Sequence, residues 1–493
     1  MSGPSIRPDL ATAAGLLADH DVVPLMMELP AGEETPVSLM QRLGVGGHCF
    51  LLESATTPAG VHGFSFLGHD PVEVAPQDDA DPLRPLQDVL AESVARVDGV
   101  TVPFLGGWVG YLGYEAAACY EHLPTTEPAF ADVPVSVFAL YRTLTVFDHA
   151  RERVLLVTQL RRSEGAVPVD YAHACDVLEE LHARILAPRP SVGAVDHPEA
   201  VEVQPLTGDM TLAHRVLPDG AATLPRDLFL AAVARALEHI VAGDIFQVQI
   251  SRRFSVRLAA HPFTLYSALR LSSPTPYLFY VSTPVCTLVG ASPEMLVRVR
   301  GQEVEYRPIA GTRRRGFSEA EDAAMEAELR SSEKEQAEHL MLVDLGRNDV
   351  GRVAAVGSVA VHESAAIERY SRVMHLVSGI RARLAPGRTA LDALRTCFPA
   401  GTVTGAPKIR AMEIIADLET HGRGPYAGAV GYIGSGGVLD TAIALRTVVV
   451  VDGRAYLQAA AGIVADSTPH EEAREIDNKL AAALDAVARV NVL

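Results

Sequence analysis

The chain has 493 residues and carries 61 acidic against 42 basic side chains, which gives a formal net charge of −19. This acidic balance argues against nucleic acid and anionic membranes as partners, because both require a net basic face, but it is compatible with a small anionic substrate in a locally basic cleft. The length exceeds one ordinary core and predicts two domains or one large domain.

The cysteines and the apolar runs predict a cytoplasmic protein. The five cysteines are scattered, odd in number and without a CxxC pair, which is typical of buried thiols in a reducing compartment. The apolar run at 10–18 lies between Asp9 and Asp19, so it is not a convincing signal peptide. No charge-free apolar run is long enough to span a bilayer.

Short strand-like runs alternate with turns in residues 1–190. They are rich in β-branched and aromatic residues and are bounded by Gly, Pro or Asp, at 22–29, 48–54, 64–68 and 135–148. Repeated glycines among aromatic residues at 106–115 are typical of tight sheet corners or close backbone packing. A helix is predicted at 176–186.

A Pro/Gly-rich, aperiodic stretch predicts a linker at 187–222, between an N-terminal region (1–190) and a second domain (225–493). After residue 225 a helix leads into a strand that contains Gln247. The rest of the chain mixes long helices with Val/Ile-rich strands, without the regular βαβ spacing of a doubly wound fold. We therefore expect an α+β architecture.

Two helices in the second half carry acids beside an apolar face. The first places Glu335 and Glu338 on the face of two leucines, and the second, which begins at Pro469, places Glu472 and Glu475 beside an apolar stripe. Four inward carboxylates repel one another unless a cation lies between them, and oxygen ligands with room for water suit Mg²⁺. A capping box or ordinary first-turn acids would explain either pair taken alone.

Three further stretches are candidates for anion binding. PIAGTRRRG at 308–316 joins a small-residue turn to three arginines, although a solvated surface loop has the same pattern. The Gly/Thr-rich turn at 398–408 lacks the spacing of a phosphate loop, but it precedes a helix whose N-terminus could hold a carboxylate. Arg446 interrupts an apolar strand and requires an anion. His375 has apolar neighbours, so a core histidine is its default interpretation.

Seven motifs in this order carry a family resemblance: PIAGTRRRG, EKEQAEHLMLVDLGRNDVGRV, SRVMHLVSG, GTVTGAPK, GPYAGAVGY, IALRTV and AAAGIVADSTPHEEAREIDNK. With them the chain resembles the chorismate-utilising enzymes, and among these the large-subunit branch of the anthranilate synthases. The resemblance begins near residue 22 and is densest after residue 225. It implies a fold of two large, mostly antiparallel β-sheets packed as a sandwich and flanked by helices.

The resemblance also implies site residues. Glu338 and Glu475 match direct Mg²⁺ ligands, and Glu335 and Glu472 match their water-bridged neighbours, so that the ion holds the ring carboxylate of chorismate. The matching catalytic positions are His375, tied to pyruvate elimination, Glu294, the acid that protonates the departing C4 hydroxyl, and Thr312. The matching substrate positions are Gly311, Thr312, Thr402, Tyr426, Arg446 (for the enolpyruvyl carboxylate), Ala460, Ala461, Gly462 and Lys479.

Two positions choose among the branches of the family. Gln247 stands where members that add water carry a lysine base, and Ala310 stands where the aminodeoxychorismate branch commonly carries a nucleophilic lysine. Ammonia is itself a nucleophile, so its attack on the ring needs neither a lysine base nor a nucleophilic lysine. The resemblance therefore implies Mg²⁺-dependent amination of chorismate at C2, loss of the C4 hydroxyl and pyruvate elimination to anthranilate, a step of tryptophan biosynthesis.

The source of ammonia is expected to be a separate glutamine amidotransferase subunit, because no cysteine stands in a GxCxG-type nucleophile turn and Cys119 lacks the flanking glycines. Free ammonium is expected to substitute for it in an assay.

The N-terminal region resembles the regulatory part of these enzymes, which binds tryptophan as an inhibitor. The candidate contacts are Glu53, Ser54, Pro276, Tyr277 and Leu278, although two core strands would explain the same pattern. The chain departs from the family at Ser273, where asparagine is usual, and at Gly63 and Phe64, where an Arg-Tyr pair is usual. Weakened feedback inhibition is the expected consequence.

Three alternatives stay open. One is an aminodeoxyisochorismate synthase that lacks the lyase step, and another is an aminodeoxychorismate synthase of secondary metabolism. The third is a non-enzymatic tryptophan-binding regulator, which the intact acid pairs disfavour, because inward-facing carboxylates are costly to retain without a use.

Overall fold

The structure is a computed structural model that describes residues 5–54, 63–162, 166–187, 222–273, 275–370 and 373–492. The linker predicted at 187–222 lies outside these ranges except for its first and last residues. Within these ranges none of the helices is long and apolar enough to cross a membrane.

The elements up to residue 187 agree with the strand-like runs of the sequence. The predicted strands at 22–29, 48–54 and 64–68 are confirmed as β2 to β4, while the run at 135–148 breaks at Arg142 into two strands that enter different sheets. The elements are β1 (Ile6–Arg7), α1 (Leu10–Asp19), β2 (Val22–Pro30), α2 (Pro36–Leu43), β3 (Cys49–Glu53), β4 (Phe64–His69), β5 (Glu73–Val74), α3 (Gln87–Ala91), β6 (Gly107–Leu112), β7 (Ser136–Tyr141), β8 (Thr143–Asp148), β9 (Arg153–Arg161) and α4 (Val167–Leu186).

The second half supplies the long helices and the remaining strands. The helix and strand predicted after Pro225 are confirmed as α5 and β10, and the predicted start of the last helix at Pro469 is also confirmed. The elements are α5 (Arg226–Ala242), β10 (Gln247–Arg257), α6 (Pro262–Ser272), β11 (Tyr277–Ser282), β12 (Thr287–Ser292), β13 (Met295–Arg300), β14 (Glu303–Tyr306), β15 (Ile309–Arg314), α7 (Glu319–Ser331), α8 (Glu333–Gly351), β16 (Ala360–Arg369), β17 (Val373–Arg383), α9 (Ala390–Cys397), β18 (Gly405–Ala406), α10 (Lys408–Leu418), β19 (Ala429–Gly434), β20 (Val438–Ile443), β21 (Thr447–Val451), β22 (Arg454–Ile463) and α11 (Pro469–Val492).

Two large antiparallel sheets carry the fold, as the resemblance implied. One has the strand order β1-β2-β9-β8-β4-β3-β11-β12-β21-β22-β10-β18, and the other has β15-β17-β14-β13-β20-β19-β6-β7-β5, with β16 paired to β17. Each sheet takes strands from both halves of the chain. The α+β class is confirmed, whereas the division into 1–190 and 225–493 stays a prediction.

The core is divided into three layers by the two sheets. Between the sheets, Phe50 and Phe66 of one sheet pack with Tyr111 and Tyr141 of the other. A second cluster lies between the twelve-stranded sheet and the helices on its outer face, and a third covers the outer face of the other sheet. The glycine repeat at 106–115 has the expected role, because a Cβ on Gly110 would collide with the carbonyl oxygen of Val137 on the neighbouring strand.

A buried ion pair fixes the turn that carries Tyr426. Arg423 is 1% exposed and donates to both carboxylate oxygens of Glu419, at 2.7 and 3.0 Å. Glu419 also accepts from the Ser251 amide of β10 at 2.7 Å, while Glu115 accepts from the backbone amide of Gly424 at 2.9 Å. The pair therefore joins the end of α10 to β10 and to the turn.

We predict that Glu419→Gln lowers the free energy of unfolding by about 3–5 kcal/mol, because it leaves the buried Arg423 guanidinium without its counter-charge. Asp485→Asn is the matched control, since Asp485 pairs with Arg489 at 3.1 Å on the surface of α11 and is expected to cost below about 1 kcal/mol. Urea unfolding followed by circular dichroism measures both. Equal losses in the two variants would contradict the role given to the buried pair.

Candidate functional site

One cavity of 570 Å³ gathers nearly all of the predicted catalytic, substrate and metal residues. It lies where β10, β15, β17 and β22 meet α8 and α11, and its size is typical of sites for small organic ligands. The candidates that line it are Gln247, Glu294, Ala310, Gly311, Thr312, Glu335, Glu338, His375, Thr402, Tyr426, Arg446, Ala460, Gly462, Glu472, Glu475 and Lys479. Ala461 does not line it, because successive strand residues face opposite sides and its methyl group lies in the helix-covered core. Any contact of Ala461 with a ligand would come from its backbone.

The acid pair on α8 enters the cavity beside β10 and β15. Glu335 Oε1 accepts from Arg313 Nη1 at 2.9 Å, and Glu338 Oε1 accepts from the side-chain amide of Gln247 at 3.2 Å. Burial raises the pKa of Glu338, and the neighbouring Glu335 adds to the rise. Ser332 caps the helix by accepting from the Glu335 amide at 3.4 Å, so half of the capping-box alternative is present. The Glu335 carboxylate itself is directed to Arg313.

The acid pair on α11 lies across from it. Glu475 Oε1 is 2.5 Å from Lys479 Nζ, and both side chains are 47% exposed, so this pair lies at the open side of the cavity. Lys479 Nζ also donates to the Ala460 carbonyl at 2.9 Å. Glu472 is 9% exposed and its Oε2 is buried without a hydrogen-bond partner. Burial raises the pKa of Glu472, and Glu475 adds to the rise.

These carboxylates fit a divalent cation that keeps part of its water. Burial disfavours the charge of Glu338 and Glu472, as their raised pKa values indicate, and the unpaired Glu472 Oε2 is an acceptor that a cation or its water would satisfy. Within the described residues no three His, Cys, Asp or Glu side chains are gathered closely enough to form a metal cage. Mg²⁺ seldom requires one, because it is usually held by one or two carboxylates together with water and substrate oxygens.

A bulge in β15 sets the backbone opposite the acid pair. The pairing of β15 with β17 shifts register between Ala310 and Thr312, so that Gly311 bulges out with a φ of 61°. This left-handed conformation favours glycine, and a Cβ there would lie 3.0 Å from Glu335 Oε2. The small residue therefore allows the backbone to approach the carboxylates.

His375 on β17 is buried but belongs to the cavity. It pairs with Thr312 across the strands, and its Nδ1 lies 3.0 Å from Thr312 Oγ1 and 3.4 Å from the Gly311 carbonyl. Burial lowers the pKa of His375, and the positive charge of Arg446 lowers it further. The imidazole is therefore neutral at neutral pH, with one nitrogen able to accept a proton. His375 is therefore buried, as the core-histidine interpretation expects, but it also lines the cavity.

Arg446 and Glu294 line the same cavity, the first as a cation and the second as a buried carboxylic acid. Arg446 lies in the connection between β20 and β21 with a φ of 47°, and not within a strand as its apolar neighbours had suggested. It makes no ion pair within the described ranges, so its guanidinium is available to an anion. Glu294, between β12 and β13, is 6% exposed. Burial raises the pKa of Glu294 to about 8, which the Thr402 hydroxyl beside it opposes only in part. Glu294 therefore carries a proton at neutral pH.

The Gly/Thr-rich turn at 398–408 presents Thr402 to the cavity. The lysine that ends it points elsewhere, because Lys408 Nζ binds Asp349 of α8 at 2.6 Å in a buried ion pair. This pair ties the start of α10 to the helix that carries Glu338.

Four polar side chains of the cavity were not among the sequence candidates: Gln249, Lys334, Thr447 and Gln458. Strand alternation was the available signal, because Gln249 stands two residues after Gln247, and Gln458 stands two residues before Ala460. Lys334 precedes Glu335 and gave no signal of its own.

The two predicted regulatory segments are neighbours in the twelve-stranded sheet. Glu53 at the end of β3 pairs with Leu278 of β11. Its carboxylate is already bound by Arg270, at 2.7 and 3.1 Å, and by the hydroxyl of Tyr266. The Tyr277 hydroxyl donates to Asp440 at 3.1 Å. Pro276 and Ser54 lie at the ends of the same two strands.

Comparison with known proteins gives one family. The profile of the family described as chorismate binding enzyme matches residues 47–485. The chain is 48% identical to the anthranilate synthase component 1 of Streptomyces coelicolor over 484 residues, which cover 98% of this chain and 92% of that protein. It is 45% identical to the protein of the same name from Thermus thermophilus, over 83% of this chain and 82% of that protein.

Solved structures agree with the fold. The crystal structure of anthranilate synthase component I from Streptococcus pneumoniae superimposes with a TM-score of 0.72 at 36% identity, over 85% of this chain and 92% of that chain. The menaquinone-specific isochorismate synthase from Escherichia coli superimposes with a TM-score of 0.68 at 18% identity, over 97% and 98% of the two chains. At that identity the likeness concerns the fold alone.

Proposed function

The chain belongs to the chorismate-binding enzyme family, and from this premise we propose that it acts as an anthranilate synthase component 1, which converts chorismate and ammonia into anthranilate, pyruvate and water. The near full-length identity to proteins of that name supports the activity. The main structural support for this function is the composition of the cavity. It is lined by Arg446, which has no anionic partner among the described residues, by the protonated, buried Glu294, and by the acid pairs of α8 and α11.

Chorismate has two carboxylates, and the cavity offers two different ways to hold them. Arg446 has a guanidinium with no ion pair among the described residues and takes the enolpyruvyl carboxylate. The acid pairs of α8 and α11 would hold Mg²⁺, with Glu338 and Glu475 in the positions that match direct ligands and Glu335 and Glu472 in the positions that match their water-bridged neighbours. A Mg²⁺ ion held by these residues would supply positive charge for the ring carboxylate of the substrate.

Amination begins with neutral ammonia at C2 of the ring. A C–N bond forms at C2, the ring double bonds shift, and the bond from C4 to its hydroxyl oxygen breaks. Glu294 gives its proton to that oxygen, so that water leaves, and the proton lost by the attacking nitrogen balances the charge. The raised pKa of Glu294 keeps the acid loaded at neutral pH.

Pyruvate elimination completes the reaction. A proton moves from C2 to the methylene carbon of the enolpyruvyl group, the C3–O bond breaks, and the ring becomes aromatic. Neutral His375, oriented by Thr312 and the Gly311 carbonyl, can hold the C2 proton during this transfer. Tyr426, Thr402, Ala460, Gly462 and Lys479 complete the walls of the cavity.

The residues at the branch-determining positions support ammonia as the nucleophile. Gln247 donates to Glu338 and has no basic group to activate water. Ala310 has no amine to attack the ring. A separate glutamine amidotransferase subunit is the proposed source of ammonia, and tryptophan at Glu53, Ser54, Pro276, Tyr277 and Leu278 is the proposed inhibitor.

We expect the purified chain to release anthranilate and pyruvate in equal amounts when it is incubated with chorismate, Mg²⁺ and ammonium. Anthranilate fluorescence measures the first product, and a coupled assay measures pyruvate. Tryptophan is expected to inhibit weakly. An aminodeoxyisochorismate product without pyruvate would indicate the synthase that lacks the lyase step. Isochorismate, or the para-amino product, would overturn the proposed function.

Glu338→Gln is expected to weaken the apparent affinity for Mg²⁺ by at least the roughly 10- to 100-fold that is typical for residues supporting a ligand, because a carboxylate proposed to bind the ion directly loses its charge. Mg²⁺ titration of activity and the Mg²⁺-dependent rise in melting temperature both measure this. Glu333→Gln is the control, since Glu333 is exposed on the same helix and does not line the cavity. An unchanged Mg²⁺ response in Glu338→Gln would contradict the metal assignment.

The rate at saturating chorismate and neutral ammonia is expected to fall as the pH rises through about 8, the pKa to which burial raises Glu294. Below that pH the group holds the proton that it must donate, and above it the proton is lost. Glu294→Gln should lower kcat by roughly 10²- to 10⁴-fold and should remove this alkaline limb. If the rate of Glu294→Gln still falls as the pH rises through about 8, the ionisation that causes this fall belongs to another group.

A further inference from the structure

A second cavity of the molecule shares no lining residue with the large one. It has a volume of 280 Å³, about half that of the large cavity. It lies between β2 and β9 of the twelve-stranded sheet and the β19–β20 turn of the other sheet, and the segment from residue 94 to 106 forms its remaining wall. None of the predicted catalytic, metal or inhibitor residues lines it.

Most of the wall of this cavity is apolar. Phe104 is 1% exposed and stacks on Tyr432 of the sandwich core with the ring centres 4.3 Å apart, so this part of the wall is fixed. An apolar wall favours a ligand with an apolar body, because contact removes both surfaces from water. The main apolar side chains of the wall are Pro24, Val97, Val100, Val102, Phe104 and Val438.

One end of the cavity is polar. Gln159 lines it, is 9% exposed and donates from Nε2 to the Leu105 carbonyl at 3.2 Å. Gly106 leaves room for this contact, because a Cβ there would lie 2.6 Å from Gln159 Nε2. The Oε1 atom of Gln159 lies 3.5 Å from Arg142 Nη1. Gln159 therefore joins the Arg142 guanidinium to this end of the cavity.

Three arginines gather at the polar end. Arg96 lines the cavity, and neither Arg96 nor the half-buried Arg142 makes an ion pair within the described ranges. Arg161 stands two residues after Gln159 on β9, so both side chains lie on the same face of the strand. Arg161 is paired with Glu92, but its Nη1 is buried without a hydrogen-bond partner.

The acid of this cluster is already bound. Glu92 pairs with Arg161 through Oε1 and accepts from Ser435 Oγ through Oε2 at 2.7 Å. Burial lowers the pKa of Arg142, and the positive charge of Arg161 lowers it further, which Glu92 and Glu73 oppose only in part. Burying a cation without a counter-charge is unfavourable. An anion at this end would relieve that cost and would satisfy the free guanidinium groups.

We propose that this cavity is a second ligand site, which takes a small carboxylic acid with an apolar body. The carboxylate binds Arg142 and Arg96, since a planar guanidinium matches a carboxylate, and the body lies against Phe104 and the valines. Inorganic phosphate has no apolar body and would leave these valines in contact with water. The site is separate from the chemistry proposed for the large cavity, so binding can be tested without turnover.

The probe is phenylacetate, a carboxylate on a single aromatic ring, titrated calorimetrically into the full chain without Mg²⁺ or chorismate. Arg446→Gln serves as the background, because it removes the free guanidinium of the large cavity, where a carboxylate could also bind. We expect this variant to bind one phenylacetate per chain. Phenylacetamide, which has the same shape but no charge, is expected to bind at least tenfold more weakly.

Two substitutions in this background locate the site. Arg142→Gln should weaken phenylacetate binding about tenfold, equal to about 1.4 kcal/mol, and Arg388→Gln is its control, since Arg388 is exposed and lines neither cavity. Val100→Trp should fill the cavity and abolish binding. Its control is Val285→Trp, in the turn between β11 and β12, where Val285 is 41% exposed. Melting temperatures confirm that each variant is folded.

The inference is wrong if the Arg446→Gln variant binds no phenylacetate, or if it binds phenylacetamide equally well. It is also wrong if Arg142→Gln or Val100→Trp binds phenylacetate as tightly as its control, because the ligand then lies elsewhere on the chain. None of these titrations involves anthranilate formation, so a failure of the proposed function would appear only in the activity assay.

Discussion

The antiparallel pairing of β10 with β22 is the interaction on which the rest of the structure depends. It runs without a break from Val248 opposite Ile463 to Arg257 opposite Arg454, and it joins segments about two hundred residues apart in the chain. The pairing sets Gln247 and Gln249 beside Gly462, and it fixes the strand that leads into α11. Without this register, the acids of α11 would have no fixed relation to those of α8.

The site concentrates charge in a place where a sandwich core would otherwise be apolar. Burial keeps Glu294 protonated and His375 neutral, and it raises the pKa values of Glu338 and Glu472. Each of these pKa shifts reflects the free-energy cost of burying the charged form of the group, and the rest of the fold offsets this cost. A cation and a dianionic substrate would relieve this cost, since they bring opposite charges to Arg446 and to the carboxylates.

Two buried ion pairs hold the loops that complete the cavity. Lys408 with Asp349 ties the turn of Thr402 to α8, and Arg423 with Glu419 ties the turn of Tyr426 to β10. Both pairs lie outside the cavity wall, so they act on the site by positioning other groups.

The sequence alone determined the local elements and the composition of the site. Its β-rich runs form β2, β3 and β4, and its seven motifs contain residues that line one cavity. Both could be identified because local spacing and residue type are properties of the sequence itself and do not depend on distant partners. Tertiary structure decided what depends on distant partners. Both halves of the chain share the two sheets, Arg142 divides one predicted strand between them, and Ala461 faces away from the site. The shared cavity position of Gln249 and Gln458 also became visible only in three dimensions, because these residues stand on two strands that only folding brings into register.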